Sequence, residues 1–236
     1  MNNLFTFGCS YTQNFEPSNG NYVYEKYKKF RGGNFPPVWS EILSEKLNLN
    51  LVNYGIGGCG NDFIFQTFCK HLDEYNKKDL IIIEWTYNER FKWANIDNNE
   101  WLHLNYDSGQ PDINIKTSKD IAVNRSNSIY IEDILNYEKI INKISKYIGF
   151  KVYYWCADFK IAHTLQNKTN KITDYLCNEN IGKNETIFSE IFRRNGLRIK
   201  EETNDIINDI HMGESGHRVQ AELFYDYIIK NQPKLI

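Results

Sequence analysis

The sequence predicts an α/β fold, a three-layer αβα sandwich around a central parallel sheet of about five strands. Short apolar runs alternate with longer segments of amphipathic helical pattern, which is typical of βαβ units. One run, Leu80–Ile83, is continuously apolar, as in a strand that is buried on both faces. Because the 236 residues contain no convincing linker, we expect a single domain, residues 1–236, with an insertion at about 95–128.

The N-terminal part of the chain opens with a strand, which we expect at Asn3–Phe7, where an apolar run ends at Gly8. The polar and aromatic segment Asn14–Phe35 is predicted to be a long loop. A helical pattern then begins at Pro36. A second strand, Leu49–Asn53, leads into a loop that is rich in glycine.

The rest of the chain continues the same alternation. The patterns predict helix 62–75, strand 79–85, helix 130–147, strand 150–156 and a closing helix 215–229. The polar segment 95–128 has no clean period and is expected to be an insertion, with a hairpin as one option. Residues 157–204 show no clear pattern.

Composition excludes several classes of protein. A net charge of −2 and a pI of about 6.2 give no electrostatic reason to expect a nucleic acid or an anionic membrane as a partner. Five cysteines, an odd number, exclude a complete disulfide framework, and no metal-ligand spacing is present. The chain shows neither a signal peptide nor a membrane-spanning run, so we expect a cytoplasmic protein.

Three polar loops follow predicted strands, at the sheet edge where ligands bind in folds of this type. Ser10 follows the first strand, and its hydroxyl would need a neighbouring base to act as a nucleophile. Gly58 lies in the glycine loop, where backbone N–H groups can bind an anion. Asn88 follows the third strand, and its amide could donate to an oxyanion. Taken singly, these residues are more typical of turns and helix caps than of an active site.

A fourth segment, near the C-terminus, contains Asp209 and His211. Histidine suits proton transfer near neutral pH. A carboxylate that is hydrogen-bonded to its second nitrogen would fix the tautomer and the orientation of the ring. His217 is a weaker candidate for a base because it falls inside the predicted closing helix.

Together, these four segments resemble the SGNH hydrolases, also called GDSL-like lipases and esterases. Gly8-Cys9-Ser10 resembles the G-D-S block of the family. Asn53 to Gly58 is similar to its N-x-x-x-x-G block, and Thr86–Glu89 to its G-x-N-D block. Asp209 and His211 resemble the final block, so the resemblance extends from Leu4 to Ile229.

The resemblance implies a flavodoxin-like sheet and a serine esterase that needs no cofactor. It implies that Ser10 is the nucleophile, His211 the general base and Asp209 the residue that orients it. The oxyanion hole would consist of the N–H groups of Ser10 and Gly58 and the amide of Asn88. The expected substrate is a small-molecule or glycan ester, as for a carbohydrate O-acetylesterase or a small-ester esterase.

Departures from the family pattern motivate a second interpretation. Cys9 replaces the usual Asp, Thr86 and Glu89 flank Asn88, and Asn208 stands where the usual D-x-x-H spacing would place the acid. The alternative is a catalytically inactive SGNH-like domain that serves as a glycan-binding or structural module of a virion or another assembly. The glycine loop also leaves open a flavodoxin-like nucleotide-binding module. The sequence does not indicate the oligomeric state.

Overall fold

The structure is a computed structural model. It describes residues 2–15, 22–87, 90–95, 100–105, 127–157, 161, 165 and 187–231, with the backbone alone at 90–95, 100–105 and 127–128. The strands are β1 (Asn3–Phe7), β2 (Asn50–Asn53), β3 (Leu80–Trp85), β4 (Arg90–Asn95), β5 (Glu100–Asn105) and β6 (Lys151–Cys156). The helices are α1 (Tyr22–Phe30), α2 (Trp39–Leu47), α3 (Asn61–Lys70), α4 (Asn127–Ile148), α5 (Ile187–Arg193), α6 (Ile199–Glu202) and α7 (Glu214–Asn231).

The central sheet is parallel and has the strand order β2-β1-β3-β6. This confirms the predicted α/β class, but the described chain forms four parallel strands and not about five. The strands are those that the four apolar runs predicted, and the described residues beyond Ala157 form helices and loops. β4 and β5 form a separate antiparallel hairpin.

Helices cover both faces of the parallel sheet. On one face Phe7 packs against Phe68 of α3, and the ring of Trp85 lies beside that of Tyr137 of α4. On the other face, α2 and α7 are neighbours, and Trp155 of β6 contacts Phe224 of α7. β3 is buried along its whole length, because it lies in the interior of the sheet between these two helical layers.

The predicted loop over Asn14–Phe35 is wrong, because it contains helix α1. Tyr24 and Tyr27 are buried on one side of this helix, whereas the lysines lie toward solvent. The buried side consists of two tyrosines three residues apart. A helical period that is sought in aliphatic residues alone does not include them, so the helix was not predicted. The buried helix face packs with Phe15 and Val38 in a second, smaller apolar cluster.

Most other boundaries agree with the predictions to within one to three residues. The helix predicted over 62–75 is shorter: α3 ends at Lys70, where the N–H of His71 donates to the carbonyl of Phe68, and a 3₁₀ turn covers Leu72–Glu74. The hairpin β4–β5 begins at Arg90, before the expected insertion. Residues 106–126 of that insertion lie outside the described part of the chain.

The described residues contain no helix that is long and apolar enough to cross a membrane. Among the described residues, Cys9, Cys59, Cys69 and Cys156 form no disulfide, and Cys177 lies outside the described ranges. Within those ranges, no three His, Cys, Asp or Glu side chains are grouped as metal ligands.

Candidate active site

Ser10 stands in a tight turn at the carboxyl end of β1. The N–H groups of Thr12 and Gln13 both donate to the carbonyl of Cys9, each at 3.0 Å. The turn therefore folds back under Ser10, which is half-buried, while Cys9, Tyr11 and Thr12 around it are buried. This arrangement presents the serine hydroxyl at the edge of the sheet, where the sequence predicted it.

Ser10, His211 and Asp209 lie next to one another in the structure, although Ser10 and His211 are 201 residues apart in the sequence. The Ser10 Oγ atom lies 2.9 Å from Nε2 of His211. The second ring nitrogen of His211, Nδ1, lies 2.6 Å from Oδ1 of Asp209. The same carboxylate oxygen accepts the backbone N–H of His211 at 2.8 Å. The D-x-H spacing thus brings the carboxylate of Asp209 into hydrogen-bond contact with His211. Asn208, which stands where the usual D-x-x-H spacing would place the acid, is exposed.

Electrostatics favour the charged form of Asp209. Burial acts to raise the pKa of its carboxyl, but the two hydrogen bonds from His211 and the charge of the imidazole outweigh burial, so the pKa lies below its usual range. An ionised Asp209 can only accept a hydrogen bond, so it keeps the proton on Nδ1 of His211 and leaves the lone pair of Nε2 directed at Ser10. This is the tautomer that a general base requires.

Two tyrosine rings flank His211. Tyr11 lies 5.1 Å and Tyr24 6.0 Å from the imidazole, measured between ring centroids. Burial raises the pKa of both phenols, and for Tyr24 the charge of Asp209 acts in the same direction. The two rings therefore stay neutral and limit the positions that the imidazole can adopt.

The segment that carries Asp209 and His211 is held by backbone pairing with residues 197–200. Ile199 donates its N–H to the carbonyl of His211 at 2.9 Å, and Lys200 donates to that of Asp209 at 3.0 Å. Gly213 donates to the carbonyl of Leu197 at 2.9 Å. These bonds satisfy the backbone of a loop and hold Asp209 and His211 in place.

Glu202, at the end of α6, anchors the start of α7 just beyond this loop. Its carboxylate accepts the N–H of Ser215 at 2.7 Å and the N–H of Glu214 at 3.1 Å. It also accepts the hydroxyls of Ser215 and Tyr27, at 2.6 and 2.5 Å. A carboxylate at a helix N-terminus satisfies free N–H groups and complements the helix dipole. Sequence reasoning missed Glu202, because no local pattern pairs it with a helix twelve residues further on.

The glycine loop lies beside Ser10. Gly57 donates its N–H to Oε1 of Gln13 at 2.7 Å, and a Cβ on Gly57 would stand 3.7 Å from the Cβ of Ser10. Gly58 has a φ of +77°, which a side chain would disfavour. Within the described part of the chain, the N–H groups of Ser10 and Gly58 have no hydrogen-bond acceptor. Both are therefore able to donate to an anion.

Asn53 and Asn61 secure this loop at its two ends. The Asn53 amide donates to the carbonyl of Thr12 at 2.7 Å, and its oxygen accepts the N–H of Gly55 at 2.8 Å. Asn61 exchanges hydrogen bonds with the backbone of Thr86, at 2.7 and 3.1 Å. The loop after β3 is thus attached to the start of α3. Asn88, the predicted side-chain donor of that loop, lies outside the described residues.

Glu84 is a further residue that sequence reasoning missed. It is the fifth residue of β3, is fully buried, and accepts three hydrogen bonds from Cys9 and Thr12. The signal was present in the sequence: one acidic residue interrupts the apolar run from Leu80 to Trp85. A buried carboxylate is rare unless it is paired or hydrogen-bonded.

His217 is not a second base. It lies in the first turns of α7, is buried, and accepts the backbone N–H of Trp39 at Nδ1 over 3.3 Å. Burial first, and the charge of His211 second, lower its pKa to about 3. It therefore stays neutral at physiological pH and acts as part of the core.

Comparison with known proteins supports the fold. No model of a known protein family matches the chain, and no curated protein matches it significantly. Among the solved structures, the chain is similar to a protein assigned to the G-D-S-L family of lipolytic proteins from Desulfitobacterium hafniense DCB-2. The match covers 96% of this chain and 99% of the other, with a TM-score of 0.52 and 12% sequence identity. The chain therefore has the fold of a GDSL-type hydrolase, as the sequence resemblance implied.

Proposed function

We propose that this protein is a serine ester hydrolase that acts by acyl transfer at Ser10. The observation that carries the proposal is the chain of contacts from Ser10 Oγ to His211 Nε2, at 2.9 Å, and from His211 Nδ1 to Asp209, at 2.6 Å. A nucleophile, a base within hydrogen-bond reach and a group that orients the base are what this chemistry requires. The GDSL-type fold is consistent with it.

In the first half of the reaction, Oγ of Ser10 attacks the carbonyl carbon of an ester while Nε2 of His211 takes the hydroxyl proton. The carboxylate of Asp209 stabilises the imidazolium that results. The negative charge on the former carbonyl oxygen is accepted by the N–H groups of Ser10 and Gly58, and by the amide of Asn88 if that residue lies where the family resemblance implies. The intermediate then collapses, and His211 returns the proton to the leaving alcohol.

In the second half, a water molecule takes the place of the alcohol. His211 removes its proton, the hydroxide attacks the acyl carbon, and the Ser10 oxygen leaves with the proton from His211. The products are an alcohol and a carboxylic acid, and the protein returns to its starting state. Nothing in these steps calls on a metal or a cofactor.

For the substrate we propose a small-molecule or glycan ester, and an O-acetylated carbohydrate is the first class to test. The solved relative is described as lipolytic, so esters with longer acyl chains belong in the same comparison. A panel of p-nitrophenyl esters from acetate to decanoate, together with acetylated oligosaccharides, would rank these classes by kcat/KM.

The test compares wild type with Ser10→Ala and Asp209→Asn, using p-nitrophenyl acetate and a fluorophosphonate label located by mass spectrometry. Ser145→Ala is the matched control, because its hydroxyl, near the C-terminal end of α4, donates to the carbonyl of Phe150 and to no other acceptor among the described residues. We expect label on Ser10, a loss of about 10⁴–10⁶-fold in kcat for Ser10→Ala, and about 10⁴-fold for Asp209→Asn. The control should behave as wild type.

A folded wild-type protein that neither takes the label nor turns over any ester would contradict the proposal. That result would favour the alternative, a non-catalytic domain of the same fold that binds a glycan or serves in an assembly. Binding of oligosaccharides to wild type and to Ser10→Ala, measured by calorimetry, would then be the next experiment.

A further inference from the structure

We propose that Glu84 is a positioning residue for the nucleophile: its buried carboxylate holds the turn that carries Ser10. This inference rests on the proposed function, because it concerns the same serine. It assigns a role to the one acidic residue of β3, which the reaction described above does not use.

The carboxylate of Glu84 ties together both ends of the Ser10 turn. Oε2 accepts the backbone N–H of Cys9 at 3.1 Å and the hydroxyl of Thr12 at 2.5 Å. Oε1 accepts the thiol of Cys9 at 2.7 Å. Ser10 lies between these two anchored residues, one position after the first and two before the second.

These bonds complete the turn that presents Ser10. The carbonyl of Cys9 already accepts the N–H groups of Thr12 and Gln13, so Cys9 is fixed on the carbonyl side by the turn and on the N–H side by Glu84. With the peptide groups on either side of Cys9 fixed, the direction of the Ser10 N–H is set as well. That N–H is one of the three proposed oxyanion donors, and a displacement of about 1 Å at such a group costs on the order of 100-fold in rate.

Gly8 shows how closely the carboxylate approaches the turn. A Cβ at this position would overlap the Glu84 carboxylate and the Thr12 hydroxyl. The glycine is required here by this close approach and not by a left-handed backbone, because Gly8 does not have a positive φ. The first glycine of the motif and the buried acid of β3 are therefore parts of one arrangement.

The same arrangement accounts for Cys9, the departure from the G-D-S block. A second carboxylate at position 9 would place two acidic groups within hydrogen-bond distance of each other in the core, which is unfavourable unless one is protonated. The Cys9 thiol instead donates to Glu84. We infer that the acid of this turn is supplied from β3 in this protein.

The experiment compares four variants with wild type in p-nitrophenyl acetate hydrolysis and in the rate of fluorophosphonate labelling. Glu84→Leu removes every acceptor, whereas Glu84→Gln keeps an amide oxygen that can occupy the Oε2 position. Thr12→Val removes one donor at nearly constant shape, and Thr12→Ser restores it. The control is Glu138→Gln, a buried glutamate on the opposite face of the sheet that accepts Nε1–H of Trp85 at 2.9 Å.

We expect kcat per labelled active site to fall about 100-fold in Glu84→Leu, with KM changed less than about threefold. Glu84→Gln and Thr12→Val should each lose less than Glu84→Leu, about tenfold, and Thr12→Ser should recover the wild-type kcat. Glu138→Gln should keep the wild-type kcat even if its melting temperature falls. Counting only the labelled sites excludes unfolded protein from the measured kcat. A merely structural role of Glu84 would lower the number of labelled sites and leave kcat per labelled site unchanged.

Active wild type with an unchanged kcat per labelled site in Glu84→Gln, Glu84→Leu and Thr12→Val would overturn the positioning role and leave the proposed function intact. Wild type without label or turnover would instead refute the proposed function, and this inference with it. If Glu84→Leu does not fold, the Thr12→Val and Thr12→Ser pair decides, because a kcat that is equal in these two variants also contradicts the proposal.

Discussion

At the scale of single residues, the two buried or half-buried histidines of the C-terminal region have opposite environments. His211 faces an ionised carboxylate and a serine hydroxyl, whereas His217 is enclosed by the core and accepts one backbone N–H. The same side chain is thereby prepared for proton transfer at one position and kept neutral at the other. The difference between His211 and His217 therefore comes from the groups that surround each imidazole.

His217 predicts a definite dependence of stability on pH. Its pKa is about 3 in the folded protein and ordinarily 6.5, so between these values the unfolded chain binds a proton that the folded chain does not. The contribution to stability is complete above pH 6.5 and is lost progressively as the pH falls toward 3. In His217→Asn, whose amide oxygen can accept the Trp39 N–H, this loss should be absent.

Urea denaturation of wild type and His217→Asn at several pH values measures the effect. Between about pH 6 and pH 4, the free energy of unfolding of wild type should fall more steeply, by about 1.4 kcal/mol per pH unit. Two curves that run parallel over this range would show that His217 takes up its proton equally in the folded and unfolded states.

At the scale of elements, the junction between α6 and α7 is built on one carboxylate. Glu202 accepts four hydrogen bonds there, and Gly213, two residues after His211, has no room for a Cβ because the same carboxylate lies against it. A change at this junction should therefore displace His211 through the backbone.

We predict that Gly213→Ala lowers both stability and activity, because the new methyl group displaces Glu202 and removes bonds from the first turn of α7. Loss of such a cap costs about 1–2 kcal/mol. Thermal unfolding and esterase rates on wild type, Gly213→Ala and the control Glu45→Ala, at an exposed position of α2, would check this. Wild-type stability in Gly213→Ala would mean that Glu202 finds equivalent partners elsewhere.

At the scale of the whole molecule, Trp39 joins the site to the helical layer. Its Nε1–H donates to the carbonyl of Tyr11 at 2.9 Å, next to the nucleophile, and its backbone N–H donates to His217 of α7. Its ring packs edge-on against Trp155 and Phe224. The side chain of Trp39 thus contacts the turn that carries Ser10, the sheet and the closing helix.

Trp39→Phe and Trp155→Phe form a matched pair that tests this connection. Both remove an indole from the same cluster, but among the described residues Nε1 of Trp155 has no hydrogen-bond partner, whereas that of Trp39 has one. Trp39→Phe should therefore be less stable than Trp155→Phe by about 1–3 kcal/mol and should also lower kcat, since the Tyr11 carbonyl is left unpaired. Equal effects in urea denaturation and kinetics would contradict this role of Trp39.

The sequence was informative where structure depends on local pattern. Apolar runs and helical periods gave the four parallel strands, and short motifs located Ser10, Asp209 and His211 close together at one end of the sheet. It failed at α1, whose buried side is made of tyrosines, and at two buried or half-buried acids. The partners of Glu84 lie 72–75 residues away, and those of Glu202 lie 12–13 and 175 residues away. Pairings of that kind depend on tertiary packing, which a local pattern does not encode.

The separation of Ser10 from His211, 201 residues along the chain, has a consequence during synthesis. A ribosome adds about 5–20 residues per second, so the serine emerges roughly 10–40 s before its base exists. Throughout that interval, the proposed nucleophile has no base that could activate it. Under the proposed mechanism, hydrolysis can begin only after the segment that carries His211 has been synthesised and has folded against Ser10.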